Sequence, residues 1–97
     1  MANDIDLDQV RNKIDALDQQ LLDLISQRAR LAQDVARIKQ NGDDAVYYRP
    51  EREAEVLRRV IDTNPGPLSG ESVRFLFREI MSACLAVDVQ IFWPLIR

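Results

Sequence analysis

The sequence predicts an all-α fold of three helices, one long, one short and one of medium length, and three observations carry that prediction. From Leu7 onward the apolar residues recur at gaps of three and four: Leu7, Val10, Ile14, Leu17, Leu21, Leu24, then Leu31, Val35 and Ile38. That spacing is the stripe of an amphipathic helix packing against other helices. Asn41-Gly42 ends the first helical pattern and Asn64-Pro65-Gly66-Pro67 separates two later ones, both strong helix stops. Finally, no stretch shows the apolar/polar alternation of a half-buried strand.

The first helix is predicted from about Leu7 to Gln40, with Asp6 or Asp4 as its cap, and would be roughly 50 Å long. A short polar loop, residues 41–45, follows. Pro50 suits the first turn of a second helix running to about Thr63, with Glu51 and Glu53 near its positive end. After the Asn64 to Pro67 turn, Ser69 is placed to cap a third helix from about Gly70 to Phe92, and Pro94 is expected to disturb any continuation. A chain of 97 residues makes one domain over 1–97. A seam of some ten positions on one very long helix is too extended to bury itself in so small a monomer, so the sequence predicts oligomerisation.

Composition narrows the function. Thirteen Lys and Arg against sixteen Asp and Glu give a net charge of −3 without a long run of like charge, which argues against nucleic acid as a partner. No segment has the length and apolarity of a membrane span, and the chain opens on no charged region followed by an apolar one, so a cytoplasmic protein is expected. There is no histidine, Cys84 is the lone cysteine, and no glycine-rich phosphate loop occurs. Histidine-based acid–base or metal chemistry and cysteine–histidine nucleophilic chemistry are therefore not expected, nor is a cofactor. Any reaction has to run on charge, hydrogen bonding and shape.

Against that background Arg28 stands out, because it occupies a seam position where a leucine belongs. A guanidinium there either snorkels to water along its stem or finds an anionic partner. Lys39 follows eleven residues later, and eleven steps of about 100° return to within roughly 20° of the same direction, so two cations share one face. No acidic residue holds a seam position of this helix, which makes a small dianionic ligand a candidate partner. The other helices carry similar intrusions. On the second, Glu53 lies one turn before Leu57 in the stripe Val56, Leu57, Val60 and Ile61, with Arg52 beside it. On the third, Asp88 falls four residues after Cys84 in the stripe Val73, Phe77, Ile80, Cys84 and Ile91. Taken singly, Glu53 reads equally as a carboxylate complementing the helix dipole, and Cys84 as a small buried apolar residue. Taken together, they fit one buried polar cluster built from three helices.

The segments Leu7 to Asp18, Leu21 to Arg28 and Val35 to Lys39 resemble the all-helical class of chorismate mutases, as do Tyr48-Arg49-Pro50-Glu51-Arg52-Glu53 and Leu76 to Leu85. The likeness covers roughly residues 5 to 90 and is nearest in flavour to the mutase domain at the N-terminus of bifunctional chorismate mutase/prephenate dehydratase proteins, which continue into a dehydratase domain. The resemblance implies an intertwined homodimer with two equivalent sites, the long helices spanning both halves, and the conversion of chorismate to prephenate in phenylalanine and tyrosine biosynthesis. It implies that Arg28 binds a substrate carboxylate and that Arg11 reaches in from the other subunit to bind carboxylate as well. Lys39 would donate to the ether oxygen of the breaking bond, Glu53 would accept from the ring hydroxyl, and Arg52 would help hold the pocket. Three positions depart from the common pattern. Cys84 stands where serine is frequent, near a carboxylate; Asp88 stands where glutamine or glutamate touches the ether oxygen; Arg49 replaces an aspartate of some relatives, whose backbone assists hydroxyl binding. Two alternatives share the fold: a lyase eliminating pyruvate from isochorismate, and a non-catalytic dimerisation or regulatory module.

Overall fold

A computed structural model describes residues 6–40 and 50–96, with side chains described at 6–38 and 50–86. Three helices follow one another: α1 over Leu7–Gln40, α2 over Pro50–Asp62 and α3 over Gly70–Ile96. The start of α1 is capped as predicted, Asp6 Oδ1 accepting from the Asp8 amide at 3.1 Å and its carbonyl accepting from Val10 N at 3.1 Å, so two amides of the first turn find partners. Asp4, the alternative cap, lies outside the described residues, as do Asn41-Gly42 and the following loop. Along the exposed face of α1, Gln27 donates to Asp23 at 2.9 Å and Arg37 pairs with Asp34 at 2.8 Å. Each such pair adds only a few tenths of a kcal/mol.

Helix α2 begins on Pro50, carries Glu51 and Glu53 in its first turn and Arg59 in its last, a charge order that complements the helix dipole. It ends one residue before the predicted Thr63, whose amide and hydroxyl both donate to the Arg59 carbonyl, at 3.0 Å and 2.8 Å. The reversal into α3 is organised by Asn64. Its Oδ1 accepts from Gly66 N at 3.0 Å and its Nδ2 donates to the Leu68 carbonyl at 2.7 Å. Gly66 sits at φ +78°, a conformation that side chains disfavour. Ser69 then caps α3, its Oγ accepting from Ser72 N at 3.1 Å. One expectation is corrected here: α3 does not stop near Phe92 but continues through Pro94 to Ile96. A proline removes only its own amide from the ladder, and residues after it can remain helical at the cost of a bend.

Helix α3 packs against both α1 and α2. The buried side chains among the described residues are Val56 and Leu57 of α2, Val73 and Cys84 of α3, and Ala36 of α1. Phe77, Ile80 and Val60 are half-buried around them, while Ile61 lies on the exposed side. The face of α1 that turns inward is Ile25, Ala29, Ala32 and Ala36. That stripe is roughly a quarter turn round the helix from the leucine seam. Its small side chains let another helix approach closely.

The seam itself is open. Leu7, Val10, Ile14, Leu17, Leu21, Leu24, Leu31, Val35 and Ile38 are all 37–71% exposed, and every residue from Leu7 to Leu24 is exposed. Only Arg28, of all the seam positions, is half-buried. The seam is thus left uncovered within the single chain, as its length led the sequence to predict: α2 and α3 are too short to cover it. The shape agrees, since a compact chain of about 100 residues has a radius of gyration near 13 Å and this one has 17.7 Å, over extents of 63 × 31 × 20 Å.

Candidate active site

Arg28 stands at the boundary between the inward stripe of α1 and the open seam, so its stem packs while its head lies beside α3. There its Nη1 donates to Cys84 Sγ at 3.4 Å. Cys84, at 3% exposure, is the most enclosed of the buried side chains. Of the polar cluster expected from three helices, the described side chains show one contact, between Arg28 of α1 and Cys84 of α3. Four residues after Ile80 the α3 stripe would carry Leu in an ordinary bundle; the smaller cysteine leaves room for a guanidinium to reach across.

From α2, Glu53 is half-buried in the first turn. Arg52 next to it points outward and pairs with Glu55, which also lies 3.7 Å from Arg59. Both partners of that pair are more than half exposed, so it contributes little to stability and leaves the Arg52 fork available to a stronger anion. Arg11 is exposed on the free half of α1. It is seventeen positions from Arg28 on the same helix, hence about 25 Å away along the axis. No small ligand touches both within one chain. Lys39 belongs to the last turn of α1, about 16 Å beyond Arg28, and Asp88 is one turn beyond Cys84 on α3. The side chains of Lys39 and Asp88, and the whole of Arg49, lie outside the described residues.

Sequence reasoning did not single out Ile25, Ala29, Ala32 and Ala36, which seat α1 within the chain; alanine counts weakly in an apolar pattern dominated by leucine. It also passed over an open depression of about 530 Å³ at the start of α3, lined by Ser69, Glu71, Ser72, Phe75 and Leu76. None of the predicted site residues lines it. Among the described residues no helix is long and apolar enough to cross a membrane.

Both the sequence and the three-helix fold match known proteins. Residues 10–89 match the family described as chorismate mutase type II. The bifunctional chorismate mutase/prephenate dehydratase of Pseudomonas aeruginosa is 54% identical over 92 residues, 91% of this chain and 25% of that protein. Its namesake from Neisseria gonorrhoeae is 51% identical over 78 residues, 80% of this chain and 21% of that protein. Among solved structures, a chorismate mutase from Thermus thermophilus (Form II) superimposes with a TM-score of 0.82 at 34% identity, covering 84% of this chain and 92% of that one. The chain belongs to the type II chorismate mutases, enzymes that convert chorismate to prephenate. It spans about a quarter of the length of the curated bifunctional relatives.

Proposed function

We propose that this chain catalyses the rearrangement of chorismate to prephenate in the cytoplasm, within phenylalanine and tyrosine biosynthesis, as a homodimer with two shared sites. Each site is built from Arg28, Lys39, Arg52, Glu53, Cys84 and Asp88 of one chain and Arg11 of the other, with Arg49 at the pocket edge. The reaction is unimolecular: the ether C–O bond breaks as a C–C bond forms, and no proton is transferred in that step. Catalysis then consists of holding the enolpyruvyl side chain over the ring and stabilising negative charge that grows on the ether oxygen. Arginines suit the two carboxylates because their forks bind bidentately, whereas the compact ammonium of Lys39 suits a single ether oxygen.

The observation that carries this reading is the Arg28–Cys84 contact: a cation is retained at the one side-chain hydrogen bond that joins two helices among the described residues. The dimer is supported by the open seam and by the separation of Arg11 from Arg28. The arm from Leu7 to Leu24 has no cover from its own chain, and a second antiparallel copy covers it while delivering its own Arg11 to the far site. The test is to incubate the protein with chorismate and, separately, with isochorismate, while sedimentation reports its mass. Prephenate from a dimer is the expected result. Pyruvate from isochorismate would assign the lyase, and failure to turn over either substrate or bind a bicyclic transition-state mimic would leave a non-catalytic module.

A further inference from the structure

Of the side-chain hydrogen bonds among the described residues, all but one join residues at most four apart. The exception is Arg28 Nη1 to Cys84 Sγ, which spans 56 positions and ties α1 to α3. Arginine has donors only, so in this bond the sulfur is the acceptor. Its lone pair faces the guanidinium, and with 3% of its surface exposed the residue presents little to a ligand. The family resemblance implies a side chain aimed at a substrate carboxylate; the geometry here gives Cys84 a different task.

We infer that Cys84 is a positioning residue that acts through Arg28, its sulfur fixing the plane of the guanidinium so that the remaining N–H groups meet a substrate carboxylate already aimed. This rests on the mutase reading above. The guanidinium is planar, so anchoring one nitrogen sets the direction of the other donors, and donors that need no reorientation are the ones that favour a reacting geometry. An apolar residue of the same size would fill the space but leave a half-buried N–H without its partner.

A double-mutant cycle with chorismate tests the inference. Cys84→Ala should lower kcat/KM about tenfold, the scale of one hydrogen bond to a charged group, chiefly through KM, and Cys84→Ser should recover to within about threefold of the parent. In an Arg28→Ala background, adding Cys84→Ala should change kcat/KM by less than about twofold, because the two residues act as one unit. In the ligand-free protein, solvent exchange of the Arg28 side-chain N–H groups, read by NMR, should quicken in Cys84→Ala and not in Cys84→Ser. A tenfold loss that persists without Arg28 overturns the inference and puts the sulfur on the substrate itself. Unchanged Arg28 exchange in Cys84→Ala overturns it too. Full activity of Arg28→Ala would bring down the underlying site reading, and is recognised as that failure because the exchange contrast would remain.

Discussion

At the scale of single residues, two positions separate binding from stability. Arg28→Ala removes a charge-assisted contact in the proposed site and should reduce kcat/KM at least about a hundredfold. The same change takes a half-buried charge off an apolar edge, so the thermal midpoint should hold or rise slightly. Steady-state kinetics beside a melting curve check both halves, and a protein that melts early instead would make Arg28 a structural residue. Asp88, unlike a glutamine, has no proton to donate when ionised. Asp88→Gln should therefore raise kcat/KM at neutral pH, with the advantage shrinking as the medium is acidified toward carboxyl protonation; a rate and pH profile identical to the parent would mean that Asp88 does not face the ether oxygen. Arg28 was legible in the sequence because it breaks a leucine period. Its contact with Cys84 was not, because spacing within α3 names a face without saying which residue of α1 that face meets.

At the scale of the elements, the caps and breakers behave as local chemistry demands. Asp6, Pro50, Asn64 and Ser69 each work within four residues of chain, so no tertiary information was needed to find them. Ser69→Ala should cost about 1 kcal/mol in urea unfolding, and Ser69→Asp should restore most of it. The exception is the end of α3, where Pro94 does not stop the helix. The alanine stripe of α1 escaped the pattern for another reason: it is defined by what packs on it, and α3 lies several dozen residues away in sequence. Ala36 is 5% exposed, so Ala36→Leu should overpack this junction and destabilise by about 1–3 kcal/mol. Ser at that position should be milder. Equal stabilities of the two variants would show that α1 and α3 do not press together there.

At the scale of the whole molecule, the open seam is the surface on which the proposed dimer rests. Mixing Arg11→Ala chains with Arg28→Ala chains under exchange should regenerate activity, since each heterodimer holds one site with both arginines. No recovery, with exchange demonstrated by mass, would place Arg11 in its own chain's site. Leu17→Glu, on the free half of α1, should abolish the dimer and the activity together, because a charge in the covered seam is left unpaired; a dimeric and active variant would mean that the seam is not the interface.

Helix number, order and the described boundaries other than the end of α3 followed from the sequence, as did the oddity of Arg28, because hydrophobic period, caps and breakers act over distances of a few residues. The resemblance to a family was likewise carried by residues read in order. Only the tertiary structure decided which stripe of α1 is used within the chain and which is left open, and only it joined Arg28 to Cys84. Those choices depend on how far a short α2 and a medium α3 can reach along a helix of 34 residues, a matter of three-dimensional coverage that periodicity along one helix does not encode.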